Sequence, residues 1–305
     1  DEWVERIEKN RKTAQSGEIT GIQTGVFELD KITDGWQNGE VIVIGAPPSV
    51  GKSIFVFQAA TTAGAIGKKV KIDSIEMMQD SVFRRMVASR TGISNSRIKR
   101  GNLDDSEMQQ VREAVEYFKT LNIYIDDSAG VKVSEIRVKA RKMKMTAGID
   151  MLVVDYLQLI SAGRKGRPDR AADASYVIRK LKEIAKEFNI PVLVVSSVNN
   201  EALKEGDKRA KPHHLKESGD IWYAADVVIT LYRPDRVGLK EFTDAEGLIH
   251  SAKDLFVIDL WKQRDGATGE ILARIDGAKM RITDFHNPQP PQEEIKPFKF
   301  PKHEI

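Results

Sequence analysis

The 305-residue chain contains no cysteine. A disulfide framework and a thiolate metal site are therefore excluded. Long apolar runs are also missing: no stretch approaches the roughly 20 residues that a membrane-spanning helix requires. Neither sign of charge dominates, since 48 Lys and Arg stand against 45 Asp and Glu and leave a net charge of +3. So small an excess does not imply a nucleic-acid partner by itself; the placement of the basic residues matters more. Proline is scarce in the body of the chain: five of the eleven prolines (Pro288, Pro290, Pro291, Pro297, Pro301) fall in the last 18 residues. With Phe298 and Phe300 among them, the tail reads as an extended segment, either disordered or laid along a partner surface. No internal repeat is visible. The chain opens on Asp1 rather than Met and shows no signal-peptide pattern, as expected of a fragment of a longer cytoplasmic protein. The apolar fraction of 41% is enough for a real core, and the length allows one large or two small domains.

The most informative segment present is residues 42–55, IVIGAPPSVGKSIF. It reads as a buried strand, a tight loop and the start of a helix. The loop, Ala46-Pro47-Pro48-Ser49-Val50-Gly51-Lys52-Ser53, follows the phosphate-binding pattern except that Ala46 replaces the first glycine. Backbone N–H groups at a helix N-terminus cradle phosphate oxygens, here those of Pro48 to Ser53 where an N–H exists. Gly51 permits close backbone approach, Lys52 reaches the β- and γ-phosphates, and the Ser53 hydroxyl is placed for Mg²⁺. The expected ligands are ATP and Mg²⁺.

From Glu40 onward strands and helices alternate. Strands are expected at 41–45, 69–75, 121–126, 150–155 and 191–196, and helices near 51–66, 78–91, 105–119, 132–146 and 171–188. That order predicts an α/β fold with a mainly parallel central sheet covered on both faces. After residue 225 the runs VVITLYR, DLFVIDLWK, ILARIDG and AKMRITDF have no helix between them, so antiparallel strands or hairpins should extend the sheet. Residues 2–15 read as a charged helix with a short apolar stripe of Trp3, Val4 and Ile7. Such a helix buries little at home and is either a solvated leader or an arm that docks on a neighbour.

Two candidate acids complete the chemistry. Asp155 closes the apolar strand MLVVD, where a carboxylate for Mg²⁺ is needed, although an aspartate there is also a frequent turn starter. Glu76 ends the strand KIDSIE and is placed to orient an attacking water; a carboxylate in that position serves equally as a helix N-cap. Two basic segments, 161–170 and 199–216, follow the ends of predicted parallel strands, the edge where open α/β sheets bind ligands. Neither contains an aromatic residue. They are either ordinary solvated loops or holders of a phosphate backbone by charge rather than by base stacking.

The runs SIEM (74–77), VVDYLQL (153–159), KESG (216–219) and KQRDG (262–266), with the opening GIQTGVFELDKITDGWQNGE (21–40), resemble the DnaB-type replicative DNA helicases. The resemblance spans roughly residues 18–285. It implies a RecA-like P-loop NTPase that forms a homo-hexameric ring, hydrolyses ATP between subunits, passes single-stranded DNA through the centre and unwinds duplex DNA. It divides the chain into a linker helix docking on a neighbouring subunit (1–17), a motor domain (18–285) and the Pro-rich tail (286–305). Lys52 and Ser53 would hold phosphates and Mg²⁺, Asp155 the metal, and Glu76 would polarise the water. Arg85, nine residues after Glu76, would lie near the nucleotide. Lys262 and Arg264 match the basic finger pair that reaches the next subunit's γ-phosphate, although Asp265-Gly266 is also a good hairpin turn. Lys216, Glu217 and Gly219 match a DNA-contacting segment, and Arg164 and Lys165 would join them at the channel. The family commonly has arginine where Pro47 stands. It also places a γ-phosphate sensor glutamine where this chain has Ser197, so either another group such as Asn199 senses the phosphate or the coupling to DNA is altered. The amino-terminal domain that binds primase in this family is missing, so contacts to primase and loader are expected to run through regions partly absent here. Two other classes compete: a recombinase-like or clock-like RecA-fold ATPase that assembles on DNA or protein without unwinding, and a ring subunit that binds nucleotide for assembly and scarcely turns it over.

Overall fold

The computed structural model describes residues 2–15, 18–163, 169–199, 202, 208–215 and 218–286. The expected DNA contacts Arg164, Lys165, Lys216 and Glu217, and the tail from residue 287, lie outside the described residues. Two helices precede the first strand: α1 (Glu2–Gln15) and the short α2 (Phe27–Thr33). Then come β1 (Val41–Ala46), α3 (Lys52–Ala65), β2 (Val70–Ser74), α4 (Gln79–Thr91), α5 (Asn95–Arg100), α6 (Asp105–Thr120), β3 (Ile123–Asp126), α7 (Val133–Thr146), β4 (Met151–Asp155), α8 (Arg170–Phe188) and β5 (Val192–Ser197). The chain continues through α9 (Ser218–Ala224), β6 (Val227–Tyr232), β7 (Glu241–Thr243), β8 (Ile249–Ser251), β9 (Leu255–Gln263), β10 (Gly269–Asp276) and β11 (Arg281–Asp284).

Nine strands form one sheet in the order β11-β10-β9-β6-β1-β5-β4-β2-β3, and β7 and β8 make a separate hairpin. β1 to β6 run parallel, while β9, β10 and β11 add antiparallel pairs. Strands buried on both faces have no polar side to show, which is why β1, β4 and β6 are rich in Val, Ile and Leu without polar alternation and are buried at every position. Period-two alternation divides their side chains between two layers. Ile42 and Ile44 join Phe55, Ile72, Val153 and Phe256 on one face, whereas Val41 and Val43 pack with Ile136, Leu152, Val154 and Leu181 on the other. α3 buries Phe55, Val56, Phe57, Ala59, Ala60 and Ala63 against the first layer. Its alanines allow close approach to the sheet. α6 is fixed at its start by a capping box in which the Glu107 N–H donates to the Asp104 carboxylate at 2.8 Å and the Asp104 N–H donates back to Glu107 at 3.1 Å.

The expected strands and helices through residue 197 match the observed bounds to within two residues. The antiparallel C-terminal extension is also observed. Some details differ from the sequence pattern. β6 is a sixth parallel strand, because the chain returns through the second basic segment and α9 before it enters the sheet beside β1. α2 and α5, with seven and six residues, are too short to show helical periodicity. Among the described residues, no helix is long and apolar enough to cross a membrane.

Candidate nucleotide site

Parallel strands share one C-terminal edge, and loops leaving that edge converge. β1 ends at Ala46, and the loop after it turns through Ser49 (φ 63°) and Gly51 (φ 127°) into α3. Both residues lie in the left-handed region. Gly51 has a second constraint: a Cβ there would sit 2.9 Å from Ile275 Cδ1 and 3.3 Å from the Phe256 ring. A side chain at 51 would crowd Ile275 and Phe256 in a backbone conformation that L residues rarely adopt, so glycine is favoured on both counts. Val50 is buried and anchors the loop in the core, whereas Pro48, Ser49, Gly51, Lys52 and Ser53 line a cleft of about 500 Å³.

β4 lies two strands from β1, with β5 between them, and delivers Asp155 to the same cleft. Asp155 is 2% exposed and accepts a hydrogen bond from Ser53 Oγ at 2.8 Å. Burial raises its pKa, as does the nearby Glu76 charge, while the Ser53 hydrogen bond, Lys52 and Arg85 act in the other direction. Lys52 donates to the carbonyls of Ala46 at 2.6 Å and Pro47 at 2.9 Å. Burial lowers its pKa to about 8 against the opposing pull of Asp155 and Glu76. Glu76 is exposed at the cleft, in the turn after β2, which a hydrogen bond from Ser74 Oγ to the Met77 carbonyl (2.7 Å) closes. Arg85 enters from α4. Burial lowers its pKa too, and its Nε is buried with no hydrogen-bond partner among the described residues. Ser197 stands at the end of β5 on the cleft wall, and its N–H donates to Gln158 Oε1 at 3.0 Å. Gln158 Nε2 in turn donates to Ser196 Oγ at 3.0 Å.

The cleft also takes in Tyr156, Arg233, Arg236, Gly277 and Met280, which the sequence did not single out. Arg233 follows β6 and holds a bidentate pair with Asp235 (3.1 and 2.7 Å). A signal for it existed, since it closes the apolar run VVITLYR at the edge where Asp155 closes MLVVD. Gly277 and Met280 had none: only the antiparallel return of β10 and β11 brings their turn to the cleft.

Lys262 and Arg264 are not in this cleft. The register pairs Lys262 with Val228 at the start of β6, and Val227 pairs with Ile42 at the start of β1. Both basic residues therefore lie at the N-terminal edge of the parallel strands, about 20 Å along six residues of β1 from the phosphate-loop edge. Lys262 Nζ donates to the carbonyls of Trp222 (2.6 Å) and Ala225 (2.7 Å) at the end of α9. Arg264 Nε pairs with Asp226 Oδ1 at 2.8 Å. Gly219 lies in the first turn of α9, with open space where a Cβ would be. Residues 161–163 and 199 lead from the ends of β4 and β5 into the two basic segments.

The family model of the C-terminal domain of DnaB-like helicases matches residues 21–284. The chain is 36% identical over 263 residues to the replicative DNA helicase DnaC of Bacillus subtilis (strain 168), covering 86% of this chain and 55% of that protein. It is 34% identical over 258 residues to the replicative DNA helicase DnaB of Geobacillus stearothermophilus, covering 84% of this chain and 55% of that one. The chain thus spans about half the length of the curated relatives it matches. Among solved structures, an isolated ATPase domain superposes with a TM-score of 0.84 at 27% identity, over 93% of this chain and 98% of that one. A DnaB-like replicative helicase, studied with its primase interactions, superposes with a TM-score of 0.82 at 27% identity, over 93% of this chain and 66% of that one. The family model covers most of the chain, and relatives above 30% identity align over most of it, so the chain belongs to the family of DnaB-like helicase C-terminal domains.

Proposed function

We propose that this chain is the ATP-driven motor of a replicative DNA helicase, working as a homo-hexameric ring that moves along single-stranded DNA and unwinds duplex. ATP binds in the cleft, with its phosphates on the N–H groups of the 48–53 loop and on Lys52. Burial has already removed much of the water from Lys52 and Arg85. An anion therefore gains more from them than it would from solvated cations. Ser53 and Asp155 supply a hydroxyl and a carboxylate 2.8 Å apart, a hard-oxygen pair that suits one face of Mg²⁺. When bound, the ion would neutralise charge on the β- and γ-phosphates. Glu76 stands at the mouth of the cleft and orients the attacking water. Lys262 and Arg264 of a neighbouring subunit stabilise the charge of the transition state. Ser197, in contact with Gln158, marks the cleft wall nearest the γ-phosphate. Lys216, Gly219, Arg164 and Lys165 meet the DNA backbone, and Glu217 orients Lys216 or a neighbouring lysine. α1 docks on the adjacent subunit with its exposed Trp3, Val4 and Ile7. Primase and a loader are the chain's expected replication partners.

The observation that carries this reading is the separation of the charged groups. The phosphate loop, Asp155, Glu76 and Arg85 share one cleft, while the KQRDG pair lies at the opposite edge, out of reach of its own nucleotide. A site that needs both sets requires a second copy. The test is ATP turnover with and without single-stranded DNA, followed by strand displacement on a forked duplex. DNA-stimulated turnover with displacement is expected. Stimulation without displacement, in a confirmed ring, would instead favour an ATPase that assembles on DNA without unwinding.

A further inference from the structure

The C-terminal end of α9 is gripped from below. Lys262 donates to its last carbonyls, and Arg264 Nη2 lies 3.4 Å from the Tyr223 carbonyl. Carbonyls at a helix end have no partner within the helix and carry partial negative charge, so two cations there fix the helix as well as satisfy it. Asp226 follows directly. It is 2% exposed and accepts from the Val41 N–H at 2.8 Å and Lys182 Nζ at 2.5 Å, besides its pair with Arg264. The carboxylate is thus locked to β1 and α8, and it holds one side of the Arg264 guanidinium. The opposite end of the same seven-residue helix carries Gly219, about 10 Å away. A second tie joins the same parts. Arg209, within the second basic segment, pairs with Asp259 on β9 and Glu270 on β10, the two strands of the hairpin that carries Lys262 and Arg264.

We propose that Asp226 is the positioning residue for Arg264, and that α9 transmits the position of the DNA-side loop to the basic pair that a subunit presents to its neighbour's nucleotide. This rests on the roles given above to Gly219, Lys262 and Arg264. A seven-residue helix clamped at its last carbonyls cannot shift at Gly219 without moving what holds those carbonyls. DNA contact at one end of α9 is then felt at Arg264 within the same subunit, and its effect on turnover appears at the next subunit's cleft.

The test compares two variants of this chain in its assembled form. Lys182→Met removes the ammonium next to Asp226 but keeps the Asp226–Arg264 pair. Lys182→Met combined with Asp226→Asn removes the pair while preserving local net charge and side-chain size, which guards against unfolding. ATP turnover is measured with and without single-stranded DNA, with KM for ATP and DNA affinity determined in parallel. The single variant should keep its DNA-stimulated kcat within about twofold. The double variant should lose about tenfold in that kcat, the scale of one charged hydrogen bond, with KM and DNA affinity unchanged. Equal stimulation of both variants would overturn the proposal. So would loss of stimulation in Lys182→Met alone, because the effect would then not pass through the Asp226–Arg264 pair. A parent chain that DNA does not stimulate would overturn the helicase reading itself, which separates the two failures.

Discussion

The two edges of the central sheet treat positive charge in opposite ways. At the C-terminal edge, Lys52 and Arg85 are desolvated and poorly compensated: Lys52 has backbone carbonyls for partners, and the Arg85 Nε has none among the described residues. At the N-terminal edge, Lys182, Lys262 and Arg264 are each held by Asp226 or by the end of α9. A cation left short of partners in a cleft gains most from an incoming anion, whereas one already paired serves to hold geometry. Under the proposed function, the first edge binds phosphate and the second presents a fixed group outward, as the two halves of an interface between identical subunits in a heterologous ring.

The largest effect that bears on this contrast is expected at the cleft. Lys52→Ala should abolish measurable nucleotide binding. Glu76→Gln should leave binding intact and lower turnover by as much as ~10⁴-fold, since only the orientation of the water is lost. Titration with a fluorescent nucleotide beside a steady-state ATPase assay separates the two. Next in size, Arg264→Ala should lower kcat by about 10³-fold while leaving nucleotide affinity close to that of the parent. A matching loss of affinity would show that Arg264 holds the bound nucleotide in the ground state rather than the transition state, and would blur the distinction between the edges.

Much of this was legible in the chain. A buried strand, a Gly-Lys-Ser turn and a helix leave few alternatives, and strand–helix alternation through residue 197 is enough to put Lys52 and Asp155 on one edge. What stayed hidden depends on long-range closure. Met280 and Gly277 reach the cleft only because β10 and β11 fold back along β9. Asp226 reads as an ordinary residue before an apolar strand, and nothing local announces that β1, α8 and the KQRDG turn converge on it. The edge on which Lys262 and Arg264 lie also followed from register, since their motif gives a turn but no address.

pH offers two smaller tests, one at each edge. The Lys52 pKa of about 8 lies below its ordinary value of 10.5, and bound phosphate must raise it. ATP affinity should therefore be flat near pH 7 and fall as pH climbs past about 8, by at most tenfold per unit, because the free protein gives up a proton that the complex retains. Isothermal titration across pH 7–9.5 measures this. At the other edge, burial and the Asp226 charge raise Glu40 from 4.5 to about 7, with Asp265 adding to the rise and Lys182 and Arg264 opposing it. The folded state keeps that proton longer than the unfolded chain. Glu40 should thus cost stability increasingly from pH 4.5 to 7, and the cost should be level above that. Glu40→Gln should raise the melting temperature by a few degrees at pH 8 and leave it unchanged near pH 4.5, by roughly the shift expected for 1 kcal/mol or less.

If each working site is shared between the C-terminal edge of one subunit and the N-terminal edge of the next, two crippled subunits can repair one another. The direct measurement mixes Arg264→Ala subunits with Glu76→Gln subunits, each nearly inactive alone. In a randomly mixed ring at equal amounts, roughly a quarter of the interfaces regain both an intact cleft and an intact finger. ATP turnover well above that of either variant is expected. No recovery, in an assembly shown by mass to contain both subunits, would contradict the shared site.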